Sequence, residues 1–131
     1  MSHYHAVVWL DHAAARIFSF NPTDVSDVHF HSHPPHRQVH HKSGTIGAGK
    51  SNEDSDYFHG IAKALDEAGE VLVVGPSIAK LHLIRYLHRH DPALEAKIVG
   101  VETIDHPTDH QIVAYARQYF RAADRMQPQK S

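Results

Sequence analysis

A chain of 131 residues with 41% apolar content is long enough to bury a core as one domain, and no stretch approaches the ~20 consecutive apolar residues of a membrane span. Its formal charge of −2, with histidine neutral, excludes a global basic field as a driver of nucleic-acid binding. The absence of cysteine excludes disulfide partners and thiolate metal sites and fits a reducing compartment. The opening MSHYHAVVWLDH has too short an apolar run for a signal peptide and lacks a basic leader, so the cytoplasm is the expected location. A homo-oligomer is compatible with all of this.

His5–Leu10 (HAVVWL) is apolar almost throughout and predicts a central strand. Asp11-His12-Ala13 turns the chain into Ala14–Phe20 (AARIFSF), whose loose alternation predicts a second strand. After the turn Asn21-Pro22-Thr23-Asp24, Val25–Ser32 predicts a third strand. Val28 and Phe30 share one of its faces, and His29, His31 and His33 the other. Together the three form an antiparallel meander. Pro34-Pro35 cannot continue a strand interior, and a mobile His/Gly-rich loop is expected over 33–53, with Gln38–His41 able to extend the third strand.

From Asp54 the period becomes helical. Tyr57, Phe58, Ile61, Ala62 and Leu65 form an apolar face. Glu53, Asp54 and Asp56 suit the positive end of that helix, and Gly69 can close it. Glu70–Val74 (EVLVV) predicts a buried parallel strand. A turn at Gly75-Pro76-Ser77 leads into a helix from Ile78 to about His90, with Ile78, Leu81, Ile84 and Leu87 as its buried side and Asp91-Pro92 as its stop. Ala96–Val101 predicts a fifth strand. Thr108-x-x-Gln111 is a capping-box pattern, opening a last helix whose stripe is Ile112, Val113, Ala116, Tyr119 and Phe120. The order β-β-β-loop-α-β-α-β-α predicts an α/β fold over residues 1–131. Its mixed five-stranded sheet is flanked by helices in a ribonuclease-H-like layout, with Val7, Val8, Val73, Val74, Ile98 and Val99 buried in that sheet.

The chemistry concentrates between Val28 and Asn52. No Asp or Glu falls between Asp27 and Glu53, while Arg37, Lys42, Lys50 and the histidines His29, His31, His33, His36, His40 and His41 all do. Gly44-Thr45-Ile46-Gly47-Ala48-Gly49-Lys50-Ser51 matches the phosphate-loop pattern G-x-x-x-x-G-K-[ST]. Its context argues against nucleotide hydrolysis, because the pattern needs a buried strand just before it and an acidic residue for magnesium after the next strand. The alternate histidines, joined by His36, His40 or His41, offer a second reading as a zinc or nickel site. No Glu lies inside the cluster to act as a base, which disfavours catalytic zinc.

Two further chemistries lack their parts. A metal-dependent nuclease needs gathered carboxylates, and Asp11, Asp105 and Asp109 read better as a turn residue and charges near the last helix. No G-x-S-x-G elbow is present for a serine hydrolase.

His5–Phe20, the glycine stretch leading into a helix, and Val71–Leu87 (VLVVGPSIAKLHLIRYL) resemble the central domain of archaeal and eukaryotic peptide-chain release factors. They are most similar to its bacterial stand-alone relatives, often labelled translational-machinery or host-attachment proteins. Gly75-Pro76-x-x-Ala79-Lys80 is similar to that family's strand-to-helix turn, and the resemblance covers nearly the whole chain. In release factors this domain carries a Gly-Gly-Gln loop that enters the peptidyl-transferase centre, where its glutamine helps water attack the peptidyl-tRNA ester. The comparable place here is Gly47-Ala48-Gly49-Lys50-Ser51, with Lys50 where the glutamine is expected. A lysine donates hydrogen bonds but cannot accept them as an amide does. The resemblance therefore implies ribosome or structured-RNA association more than peptide release, with no cofactor required. Arg37, Lys42 and Lys50 are suited to RNA phosphates.

Overall fold

The computed structural model describes residues 4–32 and 46–126. Five strands form one sheet: β1 (His5–Leu10), β2 (Ala14–Phe20), β3 (Val25–His31), β4 (Glu70–Gly75) and β5 (Ile98–Thr103). The spatial order is β3-β2-β1-β4-β5. β1 pairs antiparallel with β2, and β2 antiparallel with β3, whereas β1–β4 and β4–β5 are parallel. The helices among the described residues are α1 (Ile46–Ala64), α2 (Ala79–His90), the short α3 (Pro92–Glu95) and α4 (Asp109–Met126). This is the expected α/β fold with its mixed, open five-stranded sheet.

The continuous apolar run of β1 has the physical consequence expected of a strand covered on both sides. Ala6, Val8 and Leu10 point to one face, where they meet Tyr57, Ile61 and Leu65 of α1 and Leu83 and Leu87 of α2. Val7 and Trp9 point to the other, where they pack with Phe18, Phe20, Leu72 and Val74 and with Ile112, Ala116 and Phe120 of α4. The capping box at the start of α4 is formed reciprocally. The Thr108 amide donates to Gln111 Oε1 at 2.9 Å, and the Gln111 amide donates to Thr108 Oγ1 at 3.2 Å.

Several local expectations need correction. Helix α1 begins at Ile46, so its backbone takes up the last part of the stretch 33–53 read as loop. No proline interrupts it, and helical glycines at Gly47 and Gly49 cost about 1 kcal/mol each relative to alanine without forbidding the helix. As a result Glu53, Asp54 and Asp56 fall in the helix interior, and the first turn contains no acid. Gly69 does not close α1; its amide donates to the Tyr4 carbonyl at 2.7 Å, tying the approach to β4 to the approach to β1. Asp91 both ends α2 and caps α3, its side chain accepting from the Leu94 amide.

The buried stripe of α2 is rotated from the expected one. Ala79, Lys80, Leu83 and Leu87 are buried, while Ile78 and Leu81 are about half exposed. Apolar residues occur on both sides of this helix, so period alone does not choose between the stripes; the sheet does. β5 starts later than expected and is an edge strand, with Val99 and Val101 exposed and Ile98 only partly covered. Of the six residues expected to be buried together, Val7, Val8, Val73 and Val74 are fully so.

The corrected stripe makes a direct prediction. Leu83→Ala, at a site with no exposure, should lower unfolding free energy by about 2–5 kcal/mol in urea titration, and Leu81→Ala by no more than about 0.5 kcal/mol. Equal losses would contradict this packing.

Candidate functional site at the carboxyl rim of the sheet

Two antiparallel steps from β1 to β3 leave β3 running in the direction of β1, and β4 and β5 run the same way. Four strands therefore end on one rim, at His31, Leu10, Gly75 and Thr103. Open α/β sheets bind ligands outside such carboxyl ends. Residues 33–45 connect the rim end of β3 to α1, and α1 is tied to the same rim by the Tyr57 hydroxyl, which donates to the Asp11 carbonyl at 3.0 Å. The end of β3, after which this connection begins, thus lies on the rim where four strands end.

On the α4 side of the rim the side chains are locked to one another. Asp11 Oδ1 accepts from the Ala13 and Ala14 amides, both at 2.9 Å, which makes it the turn residue its sequence position suggests. His106 stands between two carboxylates, its Nδ1 2.9 Å from Asp105 and its Nε2 3.7 Å from Asp11 Oδ2. The Trp9 indole donates to the Asp105 carbonyl at 2.7 Å, and its ring lies 5.1 Å from that of His106. The Arg16 guanidinium sits 4.5 Å above Trp9, pairs with Asp109 at 2.7 Å and donates to the Pro107 carbonyl.

Between β4 and α2 the rim is tight. Gly75 is buried, and a Cβ there would collide with the Leu10 carbonyl oxygen, so only glycine lets β4 leave the sheet this close to β1. Buried Lys80 donates through Nζ to the Ser77 carbonyl at 2.7 Å, closing the Gly75-Pro76-Ser77 turn against the first turn of α2. His12 and His82 approach with ring centroids 5.7 Å apart. Beyond β5, Ile104, His106, Pro107, Gln111 and Tyr115 line a shallow hollow of about 460 Å³. Burial, then Glu102 and Tyr119, hold the Tyr115 phenol above its ordinary value, so it stays neutral.

The residues singled out in the sequence fall into three groups. His29 and His31 share one face of β3, opposite Arg16 and Ala14 of β2. His33, His36, Arg37, His40, His41 and Lys42 lie outside the described residues. Gly47, Gly49, Lys50 and Ser51 belong to the first turns of α1, so the glycines of the phosphate-loop pattern sit inside a helix rather than in a loop ahead of it. Among the described residues, the group that brings three metal-ligating side chains together is Asp27, His29 and Asp109. Asp27 was legible as a member of the His29 face, two residues away; Asp109 comes from a distant part of the chain and left no local signal, whereas Arg16 and Trp9 are opposed partners in the β1–β2 hairpin. The carboxylates that a nuclease would need have other partners here: Asp11 serves a turn, Asp11 and Asp105 flank His106, and Asp109 pairs with Arg16.

No family profile and no curated protein sequence matches this chain. Its solved structural neighbours include Pelota proteins and translation termination-like factors. The Thermoplasma acidophilum Pelota protein superposes with a TM-score of 0.63 at 18% identity, over 94% of this chain and 34% of its own. The archaeal translation termination factor aRF1 gives 0.57 at 15% identity, over 93% and 38%. Dom34 of S. cerevisiae, a translation termination-like factor of RNA quality control, gives 0.53 at 10% identity, over 92% and 34%. The chain spans about a third of the length of these proteins. At such identities the likeness is one of fold: this chain has the fold of one domain of translation termination-like factors.

The rim contacts predict that Arg16→Gln, which removes an ion pair, a carbonyl contact and the cation above Trp9, destabilises the fold by about 1–3 kcal/mol. Trp9 is the chain's single tryptophan, so its emission should shift in the same variant. Unchanged stability and emission would contradict the contacts described.

Proposed function

We propose that this chain is a release-factor-like module that associates with the ribosome or structured RNA in translation. It would present the cationic stretch of Arg37, Lys42 and Lys50 from the carboxyl rim, with Gly47, Gly49 and Ser51 in the same segment. The observation that carries the reading is the whole-chain match of fold to one domain of Pelota, aRF1 and Dom34. The topology supports it, because β3, from which the sequence passes into residues 33–45, ends at that rim.

Peptide release is not part of the proposal. Lys50 stands where the family resemblance expects a glutamine, and an ammonium has no acceptor with which to orient water. Three cations in an acidic chain instead give a local electrostatic contact, sequence-independent and weakened by salt.

Co-sedimentation with purified ribosomes tests this. Three phosphate contacts predict that affinity falls roughly 40-fold between about 50 and 200 mM salt. Lys50→Ala and the double variant Arg37→Ala/Lys42→Ala should each pellet less at the lower salt. The reading fails if the protein does not pellet at any salt concentration, or if these variants pellet like the parent.

A further inference from the structure

We propose that Asp27, His29 and Asp109 form a divalent transition-metal site that staples the edge strand β3 to the start of α4. Among the described residues β3 pairs with β2 alone, and most of its residues are exposed. Its alternation puts Asp27 and His29 next to one another on the α4 side, opposite Phe18 and Arg16 of β2. Asp109 reaches the same place from the first turn of α4. It is held there from two directions, by the Thr108–Gln111 capping box beneath it and by Arg16 at 2.7 Å.

The distances suit an ion. One ligand atom from each residue lies within 4.8 Å of the others, and His29 Nε2 is 3.4 Å from Asp27 Oδ2. Two ligands each ~2.0–2.1 Å from a tetrahedral zinc are about 3.3–3.4 Å apart. The strand pair already has that edge length, and Asp109 needs only a side-chain adjustment to close the third side.

Asp27 and Asp109 line one hollow with His110 and Arg117, and Arg16 pairs with Asp109, so a bound dication would rest on the Asp27–His29 edge with Asp109 turning toward it. The ligand set of one imidazole and two carboxylates matches zinc and its first-row neighbours better than magnesium or calcium, which take oxygen ligands. The three side chains are about half exposed, at 56%, 47% and 48%, so water can complete the coordination.

This site differs from the all-histidine cluster suggested by the sequence. It shares His29, adds two acids and joins two elements far apart in the chain. Bound metal would fix the strand from which residues 33–45 depart. The inference stands independently of the proposed translation role.

The test uses the full chain with His31, His33, His36, His40 and His41 replaced by alanine, which removes the other histidine on the His29 face and those that follow it in sequence. Zinc titration by calorimetry should give one saturable site per chain and a zinc-dependent rise in melting temperature, neither reproduced by magnesium. Asp27→Asn, His29→Gln and Asp109→Asn, each added to that background, should weaken binding about tenfold or more and abolish the rise. His88→Gln, which disturbs another histidine–carboxylate pair, should change neither. The site is overturned if no saturable binding is found, or if Asp27→Asn and His29→Gln bind as the background does. If Asp109→Asn alone retains full binding, the bridge to α4 is overturned.

Discussion

β1 is hydrogen-bonded on one side to an antiparallel neighbour and on the other to a parallel one, and both of its faces are covered. That double pairing constrains everything else. The antiparallel side can be built locally, through short turns at Asp11 and Asn21 whose side chains accept from the amides that follow. The parallel side cannot. A strand laid parallel to β1 requires a long crossover, and here that crossover leaves from the far edge of the sheet, runs through residues 33–45 and returns over one face as α1. The cationic stretch therefore occupies one of the two crossovers that the topology demands, the other being the passage from β4 through α2 and α3 to β5.

The same constraint divides the molecule electrostatically. Acidic residues slightly outnumber lysine and arginine in the chain as a whole, 15 to 13, yet none falls between Asp27 and Glu53. At the rim the charged groups of the compact body are largely committed inward: Asp11 to its turn, Arg16 to Asp109 and Trp9, and Lys80 to the Ser77 carbonyl. Such groups fix shape more than they recruit partners. The cations of the crossover lie outside that network in sequence, which makes them the natural candidates for intermolecular contact. Outside that stretch acids outnumber lysine and arginine, so its three cations are a local exception in a chain of net charge −2, suited to a phosphate-rich surface.

Much of this fold was legible in the sequence because its signals were strong and local. The unbroken apolar runs HAVVWL and EVLVV became the two strands at the centre of the sheet, and Thr108 and Gln111 capped α4 as their spacing required. The failures share a cause. Where a helix carries apolar residues on two sides, as α2 does at Leu81 and Leu83, only the tertiary neighbours decide which side is buried. β5 reads as an apolar strand but lies at the edge, and no local property of IVGV distinguishes an edge from a centre. In the candidate sites, the histidine alternation on β3 was visible, whereas its junction with Asp109 depends on how α4 crosses the sheet. Glycines misled as well, since Gly47 and Gly49 suggested a loop where the backbone is helical.

The central claim is that this protein meets the ribosome through the crossover at the carboxyl rim. The chain has no cysteine, so a single introduced thiol can carry a tethered iron–chelate reagent for directed hydroxyl-radical cleavage of ribosomal RNA. Ser43→Cys places the probe in the crossover, and Thr23→Cys places it in the exposed β2–β3 turn, at the opposite rim. The account predicts localised ribosomal-RNA cleavage from Ser43→Cys that is lost at raised salt, and little or none from Thr23→Cys. Cleavage from Thr23→Cys alone, or no cleavage from either position, would contradict it.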